Sequence, residues 1–293
     1  MITVRLNGGL GNQMFQYATG RAIADRIGID LSVNLDELSN ETGSVHTQRH
    51  YELSKLNVRT DSVSNNGKIP AQSLLSKTFF RIREFTGKVL DQRIVAEKFF
   101  YFDPAILEIS SSCVLTGYWQ SEKYFQSSRR KIIEDFRPRE VMNSVNRDTA
   151  ESIASTNSVS IHVRRGDYVT NSQANKFHGL CGLDYYQKAI KFIQNRASNT
   201  HFFIFSDEID WVKENLNTDS PTTYISDNAG DESYWDMQLM KECKHHIIAN
   251  SSFSWWGAWL SENDDGIVIA PEKWFSDPKI NTNDLIPLRW IRL

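Results

Sequence analysis

VSIHVRRGDY, residues Val159–Tyr168, opens the half of the chain whose reading decides the fold. Val159–Val163 is a strand and the polar, glycine-containing RRGDY that follows is a loop. Outward from it, apolar residues recur at helical spacing over Leu183–Arg196, and Phe202–Ser206 is a second strand. The pattern repeats as helix Ile209–Leu216, strand Thr222–Ser226, helix Glu232–Cys243, strand His246–Ala249, a helix from about Ser252 and strand Gly266–Ala270. Strand and helix alternate throughout, which predicts a parallel sheet covered on both faces by helices.

The first half repeats the theme less regularly. Ile2–Leu6 alternates as a strand, a glycine-rich turn follows, and Met14, Phe15, Ala18, Ala22, Ile23 and Ile27 mark a helix that Gly28 stops. Leu31–Leu35 completes one βαβ unit. Ser39–Asn66 is polar and weakly periodic and is expected to be irregular, with long loops. Leu74–Phe85 reads as a basic helix and Cys113–Trp119 as a strand. Glu122–Phe136 reads as a helix capped by Ser121 and stopped by Pro138.

A chain of 293 residues exceeds one comfortable small core, and at roughly 100 to 200 residues per domain it predicts two. We place them at 1–139 and 140–293, with the boundary near Pro138. Ligands of such sheets bind beyond the carboxyl ends of the strands. A formal charge of −3 gives no global footprint for nucleic acid. Cys113, Cys181 and Cys243 stand far apart, which argues against a disulfide framework or zinc knuckle and favours a reducing compartment. No signal region precedes the first strand and no apolar run reaches the ~18 residues of a membrane span, so the expected location is the cytoplasm. The terminal LIPLRWIRL offers two readings: a peripheral contact with an anionic membrane face, or a terminal strand or helix packed on the body with its arginines in solvent.

Three motifs sit just after strands. GGLGNQMFQYA, Gly8–Ala18, opens a helix, and its glycines suit either a close backbone approach to an anion or a tight strand-to-helix turn. Gly11, Asn12 and Gln13 are its candidate ligand contacts, although capping alone also explains Asn12. A dinucleotide fingerprint would need a third glycine where Met14 stands, which counts against an NAD(P)-dependent oxidoreductase.

In the second motif, His162 and Arg164 share a face if the strand runs on through Arg164, a placement from which they could address one ligand together; the other reading makes both arginines strand-end salt bridges. Arg164, a permanently charged planar fork, suits a diphosphate that gains charge as it leaves. Arg165, on the opposite face, suits a structural pair with Asp167 or a neighbouring carboxylate.

The third motif, HHIIANSSFSWWGAWL (His245–Leu260), places Ser251, Ser252, Phe253 and Ser254 at a helix start, a second phosphate cradle or a set of caps. Trp255, Trp256 and Trp259 read as core anchors. His245 and His246 face opposite ways and cannot chelate one metal. A carboxylate accepts both N–H groups of a guanine edge, so Asp236 or Asp207 is a base reader; helix capping is the other reading of Asp207. No D-x-D or H-E-x-x-H pattern marks a divalent-metal site.

Together GGLGNQ, HVRRGDY and SSFSWWGAWL resemble the α-1,2-fucosyltransferases of glycosyltransferase family 11, and more loosely the α-1,6- and protein O-fucosyltransferases, with order and spacing covering Gly8–Leu260. The resemblance implies an α/β, GT-B-like fold of two Rossmann-type domains facing across a donor/acceptor cleft. It also implies GDP-L-fucose as donor, inversion at the anomeric carbon, and neither metal nor resident cofactor. By position, His162 matches the histidine that contacts guanine, Arg164 the arginine on the β-phosphate, Asp236 the carboxylate on guanine N–H groups, and Ser252 with its neighbours the serines at the phosphates. Asn12 matches an asparagine near the sugar–phosphate link. The N-terminal domain becomes the acceptor side, and the implied acceptor is a β-galactoside oligosaccharide; the expected cytoplasmic location adds the expectation of a lipid-linked bacterial surface-glycan precursor of O-antigen type. Relatives place an acid about ten residues beyond the motif histidine; Ser172 stands there, which leaves Asp167 and His178 as the nearest candidates for a general base. The alternatives are fucose transfer with another linkage or transfer from a different GDP-sugar, and a non-catalytic GDP-sugar-binding protein.

Overall fold

The computed structural model describes residues 1–39 (Ser39 by its backbone), 49–64, 93–166, 169, 176 and 179–293. By internal contacts the chain divides into Met1–Arg139 with Asn283–Leu285, and Glu140–Thr282 with Ile286–Leu293. Each unit is an α/β body built on its own parallel sheet.

The first unit has strands β1 (Ile2–Arg5), β2 (Leu31–Asn34), β3 (Ser62–Ser64), β4 (Arg93–Ala96) and β5 (Cys113–Thr116) in the order β3-β2-β1-β5-β4. Central β1 pairs in parallel with β2 (Ile2 opposite Leu31) and with β5 (Ile2 opposite Cys113). Helix Leu10–Ile27 lies against it and ends where Gly28 adopts φ +68°, as the stop signal predicts. This helix is buried well beyond its apolar stripe, taking in Gln13, Gln16 and Thr19. Gln16 shows how that is tolerated: it bonds Asn7 Oδ1 at 3.0 Å and the Gly117 carbonyl at 3.1 Å, and accepts from Asn7 N.

The second unit has β6 (Asn157–Val163), β7 (Thr200–Ser206), β8 (Thr222–Ile225), β9 (His245–Ile247), β10 (Val268–Ala270) and β11 (Ile291–Arg292) in the order β11-β10-β9-β6-β7-β8. On β6, Val159, Ile161 and Val163 enter a core with Tyr186 and Ile190 of helix Leu183–Gln194 and Val212 of helix Ile209–Asn215. The alternate positions Ser158, Ser160 and His162 are buried as well, on the opposite face. Helix Tyr234–Glu242 packs on helix Ser252–Trp259 and on helix Ser144–Ala154. Trp255, Trp256 and Trp259 are buried among one another, the core-anchor role expected of them.

Several expectations are corrected. The helix expected over Glu122–Phe136 is two 3-10 turns, Glu122–Tyr124 and Gln126–Ser128, followed by α-helix Arg129–Asp135. The break falls at Phe125, whose ψ of 7° leaves the helical path as its ring packs 6.0 Å from Phe15. Ser121 does cap Lys123 N, at 3.4 Å. Within the stretch expected to be irregular, Ser62–Ser64 is a strand: it is an exposed edge held to β2 by Ser62 Oγ–Ser32 Oγ at 2.9 Å, so it needed no apolar alternation. Strand β4 and helix Ser144–Ala154, capped by Asn143, were not anticipated. The helix expected at Leu74–Phe85 and the base candidates Asp167 and His178 lie outside the described residues.

The C-terminus takes the packed-strand reading: β11 adds to β10, and Trp290 sits 5.4 Å from Trp255, while Leu288 is 93% exposed. All three cysteines are free thiols. Among the described residues no helix is long and apolar enough to cross a membrane.

Candidate functional site

In the second unit, the chain leaves β6 toward β7 on one side, whereas β9 feeds β10 on the other. Open α/β sheets bind ligands at such a reversal. The residues there, His162–Gly166 at the end of β6 and Asn250–Phe253 after β9, belong to the second and third motifs.

His162 is 6% exposed and its ring lies 5.7 Å from that of Phe253. Burial, assisted by Arg164 and opposed by Asp207, pushes its pKa down to about 4, so the imidazole is neutral near pH 7, with one nitrogen donating and one accepting. Its Nδ1 is buried without a partner among the described residues, which is what a hydrogen-bonding ligand would supply. Tyr186 fixes the strand end by donating to the His162 carbonyl at 3.1 Å.

Asp207 organises the arginines. It meets Arg164 Nη1 at 3.0 Å and accepts from Arg165 N at 2.9 Å. A methyl group on Gly166 would overlap its carboxylate. Arg165 pairs with Glu208 at 2.9 Å and lies 3.5 Å over the Trp211 ring, the structural pairing expected of it. Asp207 therefore does not cap the following helix; Glu208 holds the cap position, without a side-chain bond.

The serines divide by role. Ser251 caps Phe253 N at 3.3 Å, and buried Ser254 donates to the Ala249 and Ser251 carbonyls at 3.4 and 3.3 Å. Ser252 and Phe253 are half-buried at the helix start. Asn250, buried, holds the neighbouring loops by donating to the Gly179 and Trp274 carbonyls.

Asp236, half-buried in the first turn of helix Tyr234–Glu242, accepts from Asn228 Nδ2 at 2.8 Å. Asn228 in turn exchanges amide hydrogen bonds with Asn146 at 2.9 and 2.8 Å. Burial, with Asp227 adding to it and Asn228 working against it, pushes the Asp236 carboxyl up to about 7. Neither asparagine carries a sequence signal for this pairing, because Asn146 and Asn228 lie 82 positions apart in the chain.

In the first unit Gly8 adopts φ +70° and Gly9 caps helix Leu10–Ile27 without a side chain. Gly11 lies in the first turn. Asn12 Oδ1 accepts from Gln120 Nε2 at 2.8 Å, joining this loop to the one after β5. Gln13 is buried and bridges backbone: its amide donates to the Gly8 and His50 carbonyls at 2.9 and 2.7 Å and accepts from Glu52 N at 3.0 Å. It is a staple of the loop, a role that its position beside Asn12 did not reveal. Among the described residues no group of three or more His, Cys, Asp or Glu is placed to hold a metal ion.

A family model described as glycosyl transferase family 11 matches residues 1–293. The chain belongs to glycosyltransferase family 11. An alpha-1,2-colitosyltransferase of Escherichia coli is 37% identical over 308 residues, covering 100% of this chain and 99% of that protein. The O-antigen biosynthesis glycosyltransferase WbnK of the same species is 33% identical, covering 98% and 99%. A galactoside alpha-(1,2)-fucosyltransferase 2 of Pongo pygmaeus is 24% identical, covering 89% and 69%. This family 11 glycosyltransferase thus carries two of its three motifs at the sheet reversal of one unit and the third at the end of β1 in the other.

Proposed function

We propose that this family 11 enzyme transfers L-fucose from GDP-β-L-fucose to O2 of a terminal β-galactoside, with inversion to an α-1,2 linkage and without a metal ion. The acceptor is a surface-glycan precursor of O-antigen type, modified in the cytoplasm or at the inner face of its membrane. The observation that carries the reading is the cluster of neutral His162, Asp207-clamped Arg164 and the helix start at Ser252 at the carboxyl ends of the central strands β6 and β9.

In this reading the diphosphate lies against Arg164 and the Ser252 helix start, where a guanidinium, a hydroxyl and backbone N–H groups meet developing negative charge. Guanine lies with His162 and the Asp236 carboxylate, which takes its two N–H groups when ionised. The bond from C1 to the β-phosphate oxygen breaks and its electron pair leaves with GDP. The acceptor O2 forms the new bond from the opposite face, and its proton passes to a base, for which Asp167 and His178 stay the candidates.

The 37% relative, a colitosyltransferase by name, supports a second donor sugar, colitose, in place of fucose. Incubation with each donor, a β-galactoside and EDTA, followed by NMR of the product linkage, separates the two. Fucose at O2 supports the first reading, colitose at O2 the second, and transfer at another position or only with added metal overturns both.

A further inference from the structure

The site described above concerns the donor, and the first unit carries a separate aromatic surface. Among the described residues three aromatic side chains are exposed: Phe99 (48%), Tyr101 (37%) and Tyr118 (41%). All three lie on the loops that leave the adjacent strands β4 and β5 at their carboxyl ends.

Both loops are held in place. Glu97, the first residue after β4, donates its N–H to the Thr116 carbonyl at 2.8 Å. Its two carboxylate oxygens accept from Tyr118 N at 2.7 Å and Trp119 N at 2.9 Å. Gly117 takes φ +152° and Trp119 φ +57°, a conformation that a bulky residue rarely adopts. The twist drives Trp119 into the core, edge-on to Tyr124 at 5.7 Å, and leaves Tyr118 outside. In the other loop Phe99 and Tyr101 stack at 4.8 Å with 8° between their planes. The chain beyond them is fixed by Phe102 N to Asp284 Oδ2 at 3.1 Å and Asp103 N to Tyr124 OH at 2.9 Å.

We propose that Tyr118, with the Phe99–Tyr101 stack, forms the subsite that binds the acceptor's terminal hexopyranoside, and that Glu97 is its positioning residue. This inference rests on the glycosyltransferase reading above. A galactopyranoside has a flat facet of C–H bonds that stacks on an aromatic face, while its hydroxyls need polar partners at the edge. The loop after β5 is further held by Gln120, two residues beyond Tyr118, whose buried amide donates to Asn12 of the first motif. Fixed rings bind a sugar at little cost in lost side-chain freedom. The subsite also lies beside a sheet reversal, because β1 leads to β2 on one side and β5 stands on the other.

The test compares Tyr118→Ala, Tyr118→Phe and Phe99→Ala with wild type. Tyr118→Ala and Phe99→Ala are expected to raise the acceptor KM about tenfold or more, with GDP-induced thermal stabilisation unchanged and Tyr118→Phe close to wild type. Glu97→Gln is expected to raise the acceptor KM more than it lowers kcat. Unchanged acceptor KM in both alanine variants, or a change in oligomeric state in its place, overturns the proposal. Saturation-transfer NMR of methyl β-galactoside on the donor-free protein keeps the two readings apart. Signals that vanish in Tyr118→Ala support the subsite even if no donor is used, and no transfer of saturation to any hexoside in wild type refutes it.

Discussion

Arg164 and Asp207 meet at 3.0 Å across the carboxyl ends of β6 and β7, and the same carboxylate accepts from Arg165 N. One acid therefore orients the cation assigned to the diphosphate and the backbone that carries it. Arg164→Ala is expected to reduce kcat by about 10²- to 10³-fold, the usual loss for one donor to a developing oxyanion. Its melting temperature should move little, because the pair is partly exposed. Asp207→Ala should lower kcat as well, by releasing both arginine and backbone. Steady-state kinetics with thermal melts would contradict this if a folded Arg164→Ala enzyme turned over normally.

Asp236 gives a pH signature. Its carboxyl is pushed up to about 7 by burial, and only the ionised form accepts two N–H groups. GDP affinity is expected to rise as pH increases from about 6 to 8 and to level off above. Asp236→Asn should bind GDP weakly with a flat profile. Titration calorimetry across that range checks it; a wild-type affinity that does not change with pH removes Asp236 from base recognition.

Stability should fall in mild acid for a reason internal to the second unit. His246, buried beside Ser160 Oγ at 2.9 Å, is pushed down to about 3, and His162 to about 4, against an unfolded value near 6.5. The folded state binds fewer protons than the unfolded, so the stability of these neutral histidines is complete above 6.5 and lost as pH falls toward 4. Asp236 acts oppositely: its contribution is complete below its unfolded value and lost as pH rises through 7. Two protons against one leave a net slope of about 1.4 kcal/mol per pH unit between 6.5 and 4, and the lowered pKa values of His201 and His245 add in the same sense. His246→Asn should flatten that slope in urea titrations, and an unchanged slope would rule out its assigned part.

Helix Leu10–Ile27 approaches β1 so closely at Gly20 that an added methyl group would overlap Val4 Cγ2. Gly20→Ala is expected to destabilise the protein by about 1 to 3 kcal/mol despite alanine's better helix propensity. An equal or higher urea midpoint would show that the interface can give way.

How much of this was legible follows from where the information resides. The alternating second half was readable because β6, β7 and their helices carry strong local periodicity, and the three motifs announced themselves by falling after strands. Glu122–Phe136 was misread because Phe125 obeys the tertiary core and not the helix, and Ser62–Ser64 because an exposed edge strand needs no apolar face. The bridging role of Gln13 gave no local sign, since local sequence cannot show that His50 and Glu52 meet its amide. Asn146 with Asn228 and Glu97 with Tyr118 gave no signal, because each pairing joins residues distant in sequence and is visible only once folded.

The most direct test of the donor site at His162, Arg164 and Ser252 is calorimetric titration of GDP, in the presence of EDTA, into the wild type and Arg164→Ala. Saturable one-to-one binding by the wild type, weakened at least about 30-fold in the variant, is the predicted result. No binding by the folded wild type, or equal affinity in the two proteins, would contradict it.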